Sequence, residues 1–199
     1  MENIPNEKLL FIDCCISTHG SRTLRLCEAW LEKFLREHPS ACVETLRLRP
    51  GVCGPLSEAA LLNREELIKR EAWNDPVFEL ARQFKAADRI LIGAPYWDFS
   101  FPSMLKVYVE NIAVTGLTFV AEAAGFRGLC ACRELTYITT AGGFISGLNL
   151  GYDYIRGVGG MLGIERFSEY RAEGLDIAGA DAEGIMRGAL RTIGGADGN

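Results

Sequence analysis

A three-layer, doubly wound α/β domain with a five-stranded parallel sheet is the fold this 199-residue chain predicts. Short apolar runs with the look of buried strands alternate with amphipathic stretches of helical period, about five times. That alternation argues for a parallel sheet with helices on both faces. No internal repeat, low-complexity segment or linker interrupts it, so residues 1–199 read as one domain.

The elements follow in order. Lys8–Asp13 (KLLFID) is an apolar run ending in small and polar residues, a buried strand. After the loop CCISTHGSRT, Leu24, Leu26, Cys27, Trp30, Leu31, Phe34 and Leu35 form a helical stripe that Pro39 ends. Cys42–Leu48 alternates apolar and polar, as a strand does. RPGVCGP is a loop by its Pro and Gly content. Ser57 to Ala87 reads as helical with a break at NDP, the two pieces capped by Ser57 and Asp75. Arg89–Ala94 is a second buried strand. A helix is expected from about Pro102 to Val114, then a turn and a short extended piece in TGLTF. Glu134–Thr140 is a strand, AGGFISGLNLG a Gly-rich loop, and YDYIRGVGGMLG a Gly-weakened helix. ERFSEYRA is the last strand. AGADAEGIMRGALRTIG is the last helix, with Asp181 or Ala182 near its start.

Composition narrows the function. Hydrophobic residues make up 48% and charged ones 24%, which is ordinary for a globular protein. A net charge of -5 argues against a general nucleic-acid binder. No apolar run reaches the length of a membrane span, and MENIPNEKLLFIDCC lacks the basic and long apolar regions of a secretory signal. The expectation is a cytoplasmic protein. Seven cysteines, two of them adjacent at Cys14 and Cys15 and two at Cys130 and Cys132, fit no zinc spacing. The only histidines are His19 and His38. No metal site is expected, and the cysteines read as reduced thiols.

In a doubly wound sheet, ligands bind beyond the carboxyl ends of the strands where strand order reverses. Three loops therefore matter. The first holds Ser17, Thr18, Gly20, Ser21, Arg22 and Thr23 where a helix begins. Hydroxyls, free N–H groups and one arginine there suit a phosphate; a simple helix start capped by Ser21 is the plainer reading. No Lys follows Gly20, so it is not a Walker loop. No G-x-G-x-x-G follows the first strand, and the later GVGGMLG has Leu162 at its last required Gly and reads as close packing. Cys15 and Arg22 are one residue too far apart for a tyrosine-phosphatase loop.

The second loop packs Tyr96, Trp97 and Phe99 between Pro95 and Pro102. Its flat side chains could wall a heteroaromatic ring, or cover a core edge or a subunit interface. The third, TTAGGFISG, has Gly142 and Gly143 where backbone can approach a ligand closely, or is a mobile connector.

Taken together, APYWDFSFPSMLKVYVENIAVTGLTF resembles the flavin-contact segment of the FMN-dependent NADH-azoreductases and related NAD(P)H:quinone oxidoreductases. Ser21-Arg22-Thr23 is similar to their phosphate loop, and Thr140-Ala141-Gly142-Gly143 to their Ser-Arg-Gly-Gly. The resemblance implies a flavodoxin-like fold and a homodimer with FMN at its interface. It implies that Ser21, Arg22 and Thr23, with Ser17 nearby, hold the FMN phosphate. Pro95, Tyr96, Trp97, Asp98 and Phe99 would line the isoalloxazine ring. Thr140, Ala141, Gly142 and Gly143 would flank its pyrimidine side. The implied reaction is ping-pong: NADH or NADPH gives a hydride to flavin N5, and a quinone, azo compound or similar small acceptor takes the electrons. No catalytic side chain of the protein is required. Four residues depart from the family pattern. Cys15 stands where Ser is frequent and Asp98 where Asn is common. Ala141 replaces Arg, and Ala121 occupies a position where a partner aromatic often covers the site. A flavodoxin-type electron carrier and a non-enzymatic interaction protein are the alternatives. The length of the Ser57–Ala87 segment and the helix before TGLTF favour the dimeric reductase.

Overall fold

The computed structural model describes residues 7–17, 20–147 and 149–195. These form β1 (Lys8–Asp13), α1 (Arg22–Glu37), β2 (Cys42–Arg47), α2 (Glu58–Lys69), a 3-10 turn (Pro76–Phe78), α3 (Glu79–Ala86) and β3 (Arg89–Gly93). Then follow α4 (Ser103–Ile112), β4 (Phe119–Glu122), β5 (Gly125–Gly128), β6 (Glu134–Thr140), α5 (Leu150–Leu162), β7 (Arg166–Ala172) and α6 (Ala182–Gly194). Five strands make one parallel sheet in the order β2-β1-β3-β6-β7. The chain steps outward from β1 to β2, then returns to β3 on the other side. Strand order therefore reverses between β1 and β3, and this is the flavodoxin-like arrangement.

The alternation of strand side chains builds two cores. Leu10, Ile12, Ile90, Ile92, Leu135 and Tyr137 face one way and pack with Phe84, Leu105, Tyr108, Ile112 and Ile155 of α3, α4 and α5. Leu9, Phe11, Leu91 and Ile138 face the other way, onto Leu26, Phe34, Met186 and Ile193 of α1 and α6. Each fully buried side chain of this kind stabilises by roughly 1.5–3 kcal/mol, so the two-sided strands β1, β3 and β6 carry the fold. β2 lies at an edge and is largely exposed.

The expected caps are present. Ser57 accepts the N–H of Ala60 at 3.2 Å and Asp75 that of Val77 at 2.9 Å. Asp181, expected only near the start of the last helix, caps it by accepting the N–H of Gly184 at 2.8 Å. Two helices differ from expectation. The long Ser57–Ala87 stretch loses its helix after Lys69, well before NDP, because Glu71 takes a positive φ of 51° and the chain turns there. α5 begins at Leu150, two residues earlier than its pattern suggested, because Asn149 caps it by accepting the N–H of Tyr152. Within α5, Gly159 packs where a Cβ would meet the Phe167 ring at 2.6 Å, the close packing its sequence implied.

One element was not expected. β4 and β5 pair antiparallel outside the main sheet. Only its start, in TGLTF, was read as extended. The remainder is rich in Ala, Gly and Glu and mostly exposed, so neither propensity nor alternation marks it.

At the amino ends of β3 and β6 an ion-pair network closes the sheet. Arg89 sits between Glu7 at 2.5 Å and Glu134 at 2.6 Å. His38 reaches Glu7 at 2.8 Å, and Arg166 reaches Glu134 at 3.3 Å.

Candidate functional site

The parallel register sets Asp13 beside Gly93 and Gly93 beside Ile138. The loops after β1, β3 and β6 thus leave the sheet from one place.

The first loop is tied down from its first residue. Cys14 N–H donates to the Gly93 carbonyl at 2.8 Å. Cys15 N–H donates to Asp13 Oδ1 at 2.9 Å, and the Cys15 thiol points at the Gly93 carbonyl at 3.8 Å. Burial pushes that thiol up to about 12, a hydrogen bond with Ser21 opposing and the Asp13 charge adding to the rise. At neutral pH it is a thiol and not a nucleophile. Ser17 is exposed at the loop surface. Thr18 and His19 lie outside the described residues. Ser21 caps α1 by accepting the N–H of Leu24 at 3.2 Å. The first N–H groups of such a helix have no acceptor within it.

Arg22 and Thr23 are engaged more than their sequence positions suggest. The Arg22 guanidinium reaches Asp176 at 2.9 Å and the Leu175 carbonyl at 3.3 Å, both in the loop after β7. The Thr23 hydroxyl is buried and lies 2.6 Å from that of Thr140. The first loop is therefore joined to the third by a buried hydroxyl pair, and to the loop after β7 by a guanidinium.

The second loop folds into a tight hairpin turn, a regular structure that the flanking prolines did not suggest. Trp97 and Ser100 exchange backbone hydrogen bonds of 3.1 and 2.7 Å. Asp98 and Phe99 between them have φ of 48° and 65°. Two successive positive φ values mark a type I′ turn, which usually takes Asn or Gly. Holding L-residues in this conformation costs about 1–2 kcal/mol each. Asp98 stands exposed at the apex. Trp97 and Phe99 remain 47% and 58% exposed, so the core has not consumed them. Phe101, by contrast, packs on Tyr154 with ring centroids 5.6 Å apart. Pro95 and Tyr96 are half-buried, and Tyr96 N–H donates to the Thr140 carbonyl at 3.0 Å.

The third loop is pinned. Ala141 is buried and its N–H donates to the Ala172 carbonyl at 2.9 Å. Asp176 N–H donates to Gly142, and Gly174 N–H to Gly143, each at 2.9 Å. A Cβ on Gly142 would lie 2.3 Å from an Asp176 oxygen, so the close approach expected here is made by the chain itself. Gly143 has open space around it. Sequence reasoning passed over this fourth segment, Glu173 to Asp176. Its one signal was position, directly after the strand that neighbours β6. Asp13 and its partner Arg49 were passed over too, as an ordinary strand end and an ordinary loop arginine.

The other thiols are mostly sequestered. Burial pushes Cys130 up to about 12 and Cys132 to about 11, and raises Cys14 and Cys27 as well. Cys42 is exposed and Cys53 half-buried. Among the described residues no group of three or more His, Cys, Asp or Glu could hold a metal. None of the described helices is long and apolar enough to cross a membrane.

The reversed strand order, with a hydroxyl-rich helix start, an aromatic turn and a pinned Gly loop at the reversal point, defines a flavodoxin-like protein. Residues 7–194 match the model of the family with a flavodoxin-like fold. The chain is 34% identical over 190 residues to FMN-dependent NADH:quinone oxidoreductase 2 of Clostridium acetobutylicum, covering 92% of this chain and 94% of that one. It is 31% identical over 183 residues to the FMN-dependent NADH:quinone oxidoreductase of Lachnoclostridium phytofermentans, covering 90% and 92%. In fold it is similar to azoreductase from Bacillus anthracis, with a TM-score of 0.83, 20% identity and coverage of 96% and 98%. An FMN-dependent NADH-azoreductase from the same species, solved in complex with FMN, gives a TM-score of 0.80, 22% identity and coverage of 96% and 97%. The chain belongs to the family of FMN-dependent NADH:quinone oxidoreductases.

Proposed function

We propose that this protein is an FMN-dependent NAD(P)H oxidoreductase that reduces quinones, azo compounds or similar small acceptors. The observation that carries the reading is the pair of exposed aromatics, Trp97 and Phe99, on a rigid turn beside a hydroxyl-rich helix start. The residues present fit FMN. Ser17, Ser21, Arg22 and the α1 N-terminus provide donors and positive charge for the phosphate. Thr23 supports them through its bond to Thr140. Pro95, Tyr96, Trp97, Asp98 and Phe99 provide the flat wall for the ring. Thr140, Ala141, Gly142 and Gly143 flank its polar edge.

FMN, when bound, supplies hydride acceptance and electron transfer. The chain's own part is to hold, orient and shield. Ala141 carries no charge to the rim, so acceptors meet a wider and less cationic mouth than an arginine would give. The protonated Cys15 is buried with its thiol on the Gly93 carbonyl, so it brings no thiolate to the site. NADH is the donor in the names of the relatives, and we carry it over here with NADPH kept as the comparison substrate. A homodimer is part of the reading, supported by the exposed Trp97, Phe99, Phe126 and Phe144. So is a cytoplasmic location.

The visible spectrum of the purified chain, before and after NADH or NADPH, is the test. Yellow protein that bleaches anaerobically and recovers colour with a quinone is the expected outcome. A colourless chain that does not bind added FMN would sink the reading. A yellow chain that neither donor bleaches would leave an electron carrier instead. Light scattering checks the dimer.

A further inference from the structure

We propose that Asp13 and Arg49 form a charge-balanced post that sets the first turn of the phosphate loop, with Arg49 cancelling a buried carboxylate that would otherwise repel the phosphate. This rests on the reading of that loop as a phosphate cradle.

Asp13 is 1% exposed and lies at the carboxyl end of β1, where the loop begins. A buried carboxylate under an anion site is at odds with that site unless it is neutralised, since in a medium of low dielectric both the repulsion and the desolvation are large. Its two oxygens do different work. Oδ1 accepts the Cys15 N–H at 2.9 Å and so fixes the turn. Oδ2 faces Arg49 at 3.3 Å. The same guanidinium donates to the Leu48 carbonyl at 2.8 Å and to the Asp13 carbonyl at 3.5 Å, which holds it against the ends of β1 and β2. Arg47 contacts Asp13 at 3.7 Å but is 70% exposed, so solvent screens it and Arg49 carries the compensation. An asparagine at position 13 could keep the hydrogen bond to Cys15 N–H, but it would have no charge for Arg49 to answer. Hydrogen bond and charge can therefore be separated.

The experiment titrates FMN and riboflavin by flavin fluorescence into wild type, R49A, D13N, D13A and D13N/R49A. R49A is expected to lose about tenfold or more in FMN affinity at low salt while its riboflavin affinity is unchanged. D13N/R49A is expected to return to within about threefold of wild type, because the unpaired charge is gone. D13N alone keeps its FMN affinity, whereas D13A loses it with R49A, since Cys15 N–H has lost its acceptor. An R49A variant that binds FMN as wild type does, or a double variant no better than R49A, overturns the proposal. So does an equal loss for riboflavin, which would make the pair general support of the fold. If R49A does not fold, D13N/R49A against D13N decides: the two must agree within about threefold. Wild type that fails to bind FMN, or binds riboflavin as tightly, removes the phosphate-cradle reading and this proposal with it. The variants then need not be consulted.

Discussion

Consider β3 and β6 at their two ends. At the amino end, Arg89 joins Glu7 to Glu134, Arg166 extends the chain of charges, His38 contacts Glu7, and Arg89 also lies over the Phe34 ring. Charges there answer one another within the molecule. At the carboxyl end of the same strands the chain holds positive φ at Asp98 and Phe99, leaves two large aromatics in water and packs Asp176 against a bare glycine backbone. Such features lower stability unless something else uses them. The difference teaches where selection for folding stops and selection for a ligand begins.

The comparison can be broken by moving charges and hydroxyls at each end in turn. Arg89→Ala should have the largest effect, on stability alone. It removes the cation between Glu7 and Glu134 and leaves them only His38 and Arg166, partly in solvent, and should cost roughly 2–3 kcal/mol, less than the figure for a fully buried pair. Chemical denaturation should record that loss while FMN affinity stays as in wild type. Reduced flavin affinity in Arg89→Ala would erase the distinction between the two ends.

Ser21→Ala should come next and act mainly on the cofactor. Losing a charge-assisted phosphate contact should weaken FMN binding by about 2 kcal/mol, roughly thirtyfold, with about 1 kcal/mol of helix capping lost as well. A fluorescence titration alongside a melting curve separates the two.

A third effect, absent at neutral pH, sharpens the picture in alkaline solution. The Cys15 thiol has an ordinary value of 9.0 and sits near 12 in the fold, so the unfolded chain loses its proton first. Stability is therefore unaffected below about pH 9. It falls as pH rises from 9 towards 12, by about 1.4 kcal/mol per pH unit for each such thiol. Cys15→Ala should flatten the alkaline slope of unfolding free energy by that amount. An unchanged slope would mean that the thiol reaches water.

Trp97→Ala should be smallest on stability, within about 0.5 kcal/mol, because the ring is half in solvent. It should instead change turnover or the range of acceptors, read from steady-state kinetics. A large fall in melting temperature with normal kinetics would return Trp97 to the core.

The parts of this design that were legible in sequence were those set by local pattern. Strands β1, β3 and β6 are apolar runs, and Ser21, Ser57, Asp75 and Asp181 are cap residues with a mechanism. The aromatic run stood out because no strand or helix had a use for it, and Trp97 and Phe99 are indeed exposed. What escaped was long-range. Asp13 meets Arg49 across 36 positions, Thr23 meets Thr140 across 117, and Arg22 meets Asp176 across 154. No periodicity encodes such pairs. The turn at Asp98 and Phe99 was illegible for a different reason: Asp tolerates a left-handed backbone, but the Phe that follows it is not a customary residue there.

The arrangement of the cysteines has a practical side. Cys14, Cys15, Cys27, Cys130 and Cys132 are enclosed, while Cys42 lies open on the edge strand, at the amino end of the sheet. A maleimide dye added to the native protein should therefore attach first at Cys42, at the end of the sheet away from the three loops. One natural position thus offers a handle for distance measurements or surface immobilisation, with no cysteine needing to be engineered in or out.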